Sequence, residues 1–114
     1  MTGEEHLWTV RLTATAESDF QNIIAWTLKE FGDLQARNYA DTISAALVGL
    51  TVGPTIVGAR QRSELGKGVF TLHVARSGRN GRHFVLFGAK SQFQIEVLRL
   101  LHDAMDLKLH LPGT

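Results

Sequence analysis

Residues 69–89 read VFTLHVARSGRNGRHFVLFGA, and this stretch decides the fold. Its two outer parts are rich in β-branched and aromatic residues, which favour β-strands. The middle part, 77–81, contains two glycines and an asparagine, which tolerate the positive φ angles of tight turns. The stretch therefore predicts a β-hairpin with strands at 69–76 and 82–89.

The sequence on both sides of the hairpin adds one strand and two helices. Residues 94–102 predict a third strand, which follows the hairpin directly. Apolar residues at helical spacing predict one helix after Thr15, its expected N-cap, and a second helix capped by Asp33, with Gly32 between them. So short a junction predicts an antiparallel helical hairpin.

An N-terminal strand completes the predicted order of elements. Residues 8–12 alternate between apolar and polar side chains, as a half-buried strand does. We therefore expect one α+β domain over residues 1–114: an N-terminal strand, a helical hairpin, then a three-stranded, mainly antiparallel sheet and a short C-terminal tail. Residues 55–68 are expected to form a loop with room for a short edge strand.

The composition fits one small domain and excludes several classes of protein. With 114 residues, 44% of them hydrophobic, the chain can bury a single core. It has no cysteine, which excludes a disulfide framework and thiolate metal sites and is compatible with a reducing cytoplasm. No apolar run approaches the ~20 residues of a membrane span, and the N-terminus does not resemble a signal peptide. We therefore expect a cytoplasmic protein without a membrane partner.

Charge is divided unevenly along the chain. Residues 1–57 carry three Lys/Arg against seven acidic residues, a net charge of −4, whereas residues 58–114 carry nine against four, a net charge of +5. A basic half favours an anionic partner, either nucleic acid or an acidic peptide. The same excess also fits an ordinary solvated sheet face.

The strand at 82–89 is apolar on both faces. Val85 and Phe87 project to one side, and Phe84 and Leu86 project to the other. A sheet covered by helices on one side needs only one apolar face. The second face is therefore either a binding surface or a surface that the C-terminal tail covers.

Several local patterns, together spanning most of the chain, resemble the RelE/ParE toxin superfamily and within it the ParE type. They are a strand that leads through Ala and Asp into a helix, a Gly junction between helices, a Gly-Pro stop, a short Arg/Glu-Leu segment, and a last strand that ends on Leu-His and is followed by Met-Asp. In this sequence they lie at Leu12–Asp19, Phe31–Ala36, Gly53–Pro54, Arg62–Leu65 and Val97–Asp106.

The resemblance implies the toxin of a type II toxin–antitoxin (plasmid stabilisation) system. Such a toxin would inhibit DNA gyrase by binding and would be neutralised by a ParD-like antitoxin. It would need no catalytic residue, cofactor or metal, and no sequence-specific binding to nucleic acid is expected.

Two sets of candidate contact residues follow. The resemblance is densest at the C-terminal end of the basic half, where the expected target-binding residues are Arg99, His102, Met105 and Asp106. The second apolar face, the arginines beside the turn and a tryptophan off the main helical stripe give the expected antitoxin-binding residues Arg76, Arg82, Phe84, Leu86 and Trp26.

The alternative is a ribosome-dependent mRNA endonuclease of the RelE kind. RNA cleavage needs an acid, a base and cations on the phosphate, which His102, Glu64 and Arg62 could supply. The strand at 82–89 carries Phe where relatives commonly have Tyr, and Tyr39 is the only tyrosine in the chain. This departure weakens a role for a phenolic hydroxyl in the sheet.

Overall fold

The computed structural model describes residues 6–105. Two helices and five strands follow one another along the chain. They are β1 (Thr9–Leu12), α1 (Ala14–Phe31), α2 (Asp33–Gly49), β2 (Arg60–Gln61), β3 (Val69–His73), β4 (His83–Ala89) and β5 (Gln94–His102), with a short 3₁₀ turn at Leu50–Val52 after α2.

All five strands belong to one sheet, in the order β1-β5-β4-β3-β2. Strand β1 pairs in parallel with β5, and the other neighbours are antiparallel. The α+β prediction is confirmed, but the strand count differs, because β1 joins the same sheet at one edge and β2 adds a two-residue strand at the other. The helical hairpin carries the chain from β1 at one edge to β2 at the other, and β3 and β4 then lead back to β5 beside β1.

The helices pack on one face of the sheet and form the main core there. Val85 and Phe87 of β4 lie in this core, as strand alternation predicts. Each such aliphatic or aromatic side chain contributes roughly 1.5–3 kcal/mol when it is buried. The other fully enclosed large side chains of this core are Ile43, Leu50, Leu72, Val74, Ile95 and Val97.

A second, smaller core lies on the opposite face. Leu86 and Leu101 are buried there, and Phe84 and Leu98 pack against them half-buried. The second apolar face is therefore partly filled by its own side chains. The predicted cover is the tail from Asp103 to Leu111, and all of it after Met105 lies outside the described residues.

Helix boundaries differ slightly from the prediction. Thr13, not Thr15, is the N-cap of α1, because its hydroxyl oxygen accepts from the Ala16 N–H at 3.0 Å. Gly32 joins the helices with a φ of 94°, which glycine adopts without strain, and it takes the N-cap position expected of Asp33. No helix among residues 6–105 is long and apolar enough to cross a membrane.

Strand β3 ends three residues earlier than predicted. The imidazole of His73 accepts the Ala75 N–H at 2.9 Å through Nδ1, which turns the chain out of the sheet. The following turn places Ser77 and Gly78 at positive φ. The short edge strand allowed within 55–68 is present as β2.

Candidate functional site

An open groove of about 790 Å³ lies between the helical hairpin and the ends of β4 and β5. Its rim on the helical side is aromatic: Trp26 is 57% exposed, Phe31 is 63% exposed, and their rings meet edge to face at 5.6 Å. Its wall on the sheet side is polar. The groove lining includes Trp26, Phe31, Tyr39, Arg82, His83 and His102.

Tyr39 reaches from α2 to the sheet and joins the two walls of the groove. The Arg82 backbone N–H donates to its hydroxyl oxygen at 2.9 Å, and the same oxygen lies 2.7 Å from His83 Nδ1, within hydrogen-bond distance. The phenol fits because position 81 is glycine: a Cβ there would lie 2.5 Å from a methyl group of Val74 and 3.0 Å from the Tyr39 ring. Burial raises the pKa of Tyr39.

Two histidines from neighbouring strands line the sheet side of the groove. His83 and His102 are cross-strand partners, and their ring centroids lie 5.3 Å apart in an edge-to-face arrangement. Burial, and then the proximity of His102, lower the pKa of His83 to about 4. His83 is therefore neutral near pH 7. His102 Nδ1 accepts the Ala104 N–H at 3.1 Å.

Asp103 ties three strand ends together beside the groove, and we call its contacts the Asp103 cluster. The Arg82 guanidinium donates to both of its carboxylate oxygens at 3.0–3.2 Å, and His73 Nε2 donates at 2.9 Å. The backbone N–H of Asp103 also donates to Arg82 O at 2.8 Å. The Arg82 guanidinium, followed by His73, holds the pKa of Asp103 well below its usual range.

Arg99 is engaged inside the chain. Its guanidinium donates to Asp19 of α1 at 2.8 and 3.1 Å, and the Leu100 N–H donates to the same carboxylate at 3.0 Å. The two charged side chains are only 23% and 14% exposed. Asp19 is thus the partner of this mid-strand arginine within the chain. The role of Arg99 in target binding stays a prediction.

Arg76 and Arg82, which flank the β3–β4 turn, contact different parts of the chain. Arg82 belongs to the Asp103 cluster, whereas Arg76 packs against the end of α2 and donates to Val57 O at 3.4 Å. Its guanidinium lies so close to Gly49 that a Cβ there would be 3.0 Å from Nη1. The two arginines thus have different partners within the chain, and their roles in antitoxin binding stay predictions.

The three residues of the alternative nuclease hypothesis are not brought together. Arg62 binds Glu64 at 2.8 Å and reaches the Thr71 hydroxyl at 3.4 Å. Thr71 pairs with Leu86, whose side chain lies on the face opposite the helices. His102 instead lines the groove on the helical side.

The remaining predicted contact residues are spread over the surface and the second core. Trp26, Arg82 and His102 meet at the groove, although the sequence assigned them to two different partners. Phe84 is half-buried and Leu86 fully buried in the second core, so Leu86 offers no surface to a partner in the free chain. Met105 is partly exposed, and Asp106 lies outside the described residues.

Sequence reasoning missed Tyr39, His83 and Asp103 as parts of the site. The one available signal was the glycine at position 81, which leaves room for a large side chain beside the hairpin. Nothing in the local pattern shows that this side chain comes from α2. Among residues 6–105, no group of three or more His, Asp or Glu side chains is arranged to hold a metal ion.

Comparison with known proteins assigns the chain to a family. The family described as "ParE toxin of type II toxin-antitoxin system, parDE" matches residues 10–107. The chain belongs to the ParE toxin family. It is 30% identical over 100 residues to Toxin ParE of Escherichia coli, covering 88% of this chain and 89% of that relative.

Two solved structures from toxin–antitoxin systems share the fold of this chain. The chromosomal ParDE system of P. aeruginosa superimposes with a TM-score of 0.69 at 21% identity, covering 85% of this chain and 97% of the other, which shows a shared fold. The RelBE2 toxin–antitoxin complex of Mycobacterium tuberculosis superimposes with a TM-score of 0.55 at 27% identity, covering 84% and 98%. This member of the ParE family is thus the toxin of a type II toxin–antitoxin system.

Proposed function

We propose that this toxin acts by binding, that its target is DNA gyrase in the cytoplasm, and that a ParD-like antitoxin neutralises it by occupying the groove. The observation that carries the proposal is an exposed aromatic rim beside a Tyr39 hydroxyl and an Arg82 guanidinium that already bond within the chain. Such a surface recognises a partner by burial and shape, and it requires no reacting group.

The aromatic rim supports the antitoxin part of the proposal. Trp26 and Phe31 leave more than half of their surface in water, and an exposed aromatic cluster beside a groove is typical of a protein interface. Tryptophan anchors carry a large share of binding energy in such interfaces. The solved ParDE and RelBE2 relatives are themselves toxin–antitoxin systems, which favours a partner of this kind.

A matched pair of variants tests the groove as the antitoxin site. Trp26→Ala should weaken the complex with the ParD-type antitoxin encoded beside the toxin gene by at least about tenfold, measured by calorimetry. Val57→Ala removes a still more exposed apolar side chain outside the groove and should leave the affinity unchanged. Equal affinities for both variants and the wild type would remove the groove from the antitoxin interface.

Two truncations test the gyrase part of the proposal. Deletion of 106–114 keeps Asp103 and its bonds to Arg82 and His73, so we expect a folded protein that no longer inhibits supercoiling by gyrase. Deletion of 103–114 also removes Asp103, so we expect a lower melting temperature. If the shorter deletion stays folded and inhibits gyrase fully, the target site lies elsewhere, on the helical hairpin around Trp26.

The RNA-cleaving alternative keeps one supporting observation. The groove brings a phenol, two imidazoles and the Arg82 backbone together, which is a set of groups that could move protons. The guanidinium of Arg82, however, already donates through Nε and Nη2 to both carboxylate oxygens of Asp103, whose negative charge opposes an incoming phosphate. Purified toxin added to a translating extract should leave mRNA intact, and codon-phased cleavage that His102→Gln abolishes would establish the nuclease instead.

A further inference from the structure

We propose that His83 and His102 form a two-donor subsite that takes an uncharged carbonyl oxygen of a partner polypeptide, and that Tyr39 is the positioning residue that fixes the proton of His83. The partner part of this inference rests on the proposed function, because it assumes that a polypeptide fills the groove. The arrangement of the donors is a property of the free chain.

The proton of His83 is placed by a directional chain of hydrogen bonds. A backbone N–H can only donate, so the Arg82 N–H makes the Tyr39 hydroxyl oxygen an acceptor. We assign the hydroxyl proton to the bond with His83 Nδ1, 2.7 Å away, so that this nitrogen accepts. A neutral imidazole with an accepting Nδ1 carries its proton on Nε2.

The same logic fixes His102 independently. The Ala104 N–H donates to His102 Nδ1 at 3.1 Å, so the neutral ring again carries its proton on Nε2. Both rings line the groove. Neither Nε2–H has a hydrogen-bond acceptor among residues 6–105, and neither atom is one of the fully enclosed polar atoms in that range. The Nε2–H groups of these two groove-lining rings are therefore donors without acceptors among these residues.

The charges around this pair favour an uncharged acceptor. Asp103 Oδ1 lies 3.7 Å from His102 Nδ1 and would repel an incoming carboxylate or phosphate. The nearest guanidinium, Arg82, is held by both oxygens of the same Asp103. The low pKa of His83 keeps that ring neutral. A main-chain or amide carbonyl satisfies two neutral N–H groups without an unbalanced charge in the half-buried groove.

The polypeptide is favoured over RNA by the same argument. An RNA strand brings a phosphate with each nucleotide, and its binding depends on free cations and falls steeply with salt. A peptide segment brings a regular series of uncharged carbonyl groups and can place an apolar side chain against the rim formed by Trp26 and Phe31.

The first experiment tests, in the free protein, whether Tyr39 fixes the tautomer of His83. Nitrogen-15 NMR of the histidine rings should show His83 and His102 as single Nε2–H tautomers in the wild type. Tyr39→Phe keeps the aromatic ring but removes the hydroxyl, so His83 should become a mixture of tautomers while His102 stays unchanged. A mixed tautomer of His83 in the wild type, or an unchanged one in Tyr39→Phe, would overturn the positioning role.

The second experiment identifies the acceptor with simple probes. N-methylacetamide should shift the Nε2–H signals of both histidines, and inorganic phosphate and acetate should shift them less. Tyr39→Phe should weaken the response to the amide several-fold, which is the effect of about one neutral hydrogen bond. His6→Gln, outside the groove, should leave it unchanged. A stronger response to phosphate would overturn the carbonyl assignment in favour of RNA, and no response to any probe would overturn the subsite.

The complex with the antitoxin separates failure of this inference from failure of the proposed function. If the complex forms and the two Nε2–H signals shift, both are supported. If it forms and the signals stay where they were, the subsite is wrong while the proposed function stands. If no complex forms, the antitoxin part of the proposed function fails, and the probe titration alone decides the subsite.

Discussion

Two arginine–aspartate pairs occupy opposite environments in this small fold. Arg99 and Asp19 join β5 to α1, with side chains that are 23% and 14% exposed. Arg82 and Asp103 close the strand ends beside the groove, and there the arginine is 69% exposed and the aspartate 19%. Both contacts are bidentate and nearly equal in length, so the difference between them lies in burial.

Burial gives the two pairs different roles. Beyond the last paired residue of β1, Thr13 and Asp19 take over as hydrogen-bond partners of β5, and the Arg99 pair is part of that junction. The Arg82 pair instead removes one positive charge from the rim of a binding groove. An arginine in a basic half is therefore not by itself a contact for an anionic partner, because its charge can be balanced from a distant part of the chain.

The largest expected effect is on the interior pair. Arg99→Glu removes the guanidinium and places a second carboxylate against Asp19 in a largely buried site, so the free energy of unfolding should fall by about 3–5 kcal/mol in urea denaturation. Arg60→Glu, the same substitution on the exposed edge strand β2, is the control and should change it little. A stable Arg99→Glu protein that has lost its toxicity would identify Arg99 as a target contact and would contradict the structural role of the Arg99–Asp19 pair.

A smaller, local effect is expected at the exposed pair. Asp103→Asn keeps the shape of the side chain but removes the charge that Arg82 and His73 bind. The melting temperature should fall by less than in Arg99→Glu. NMR shifts should be concentrated at the groove-lining residues, with α1 left in place. A loss of stability as large as that of Arg99→Glu would show that exposure does not separate the two pairs.

The smallest expected effect is a dependence of stability on pH that arises only at the groove end. The pKa of His83 is about 4 in the folded chain against 6.5 ordinarily, so between these values the unfolded chain binds a proton that the folded chain does not. Stability should therefore be full above about pH 6.5 and decline as the pH falls towards 4, by on the order of 1–2 kcal/mol after screening by solvent. In a plot of the urea midpoint against pH, His83→Gln should flatten the decline between pH 6.5 and 4, and His6→Gln should leave it unchanged. Identical plots for the two variants would contradict the assignment of this decline to His83.

Short-range patterns were sufficient to predict the elements but not the contacts that build the groove. The order of helices and strands, and the bounds of β5, follow from periodicity and turn residues within a few positions of one another. Asp19 and Arg99 are 80 residues apart, and Tyr39 and His83 are 44 apart. These pairs form only because the helical hairpin packs against the sheet in this particular position.

A bulge in β5 also prevents the sequence pattern from showing which way the Arg99 side chain points. Arg99 pairs with Leu86 and Val97 with Phe87, so Leu98 is an extra residue in the ladder. Simple alternation along the strand fails at such a point, because the bulge changes the direction of the side chains. The position of Arg99 between two leucines therefore did not indicate that its partner lies on α1.

The groove contains a residue whose ultraviolet absorbance can report on its occupancy. Tyr39 is the only tyrosine in the chain, so ultraviolet absorbance on alkaline titration follows the ionisation of this one phenol. Its pKa is already raised by burial, and any molecule that fills the groove and displaces water should raise it further. Spectrophotometry of the unlabelled protein can thus screen compounds for occupancy of this one site.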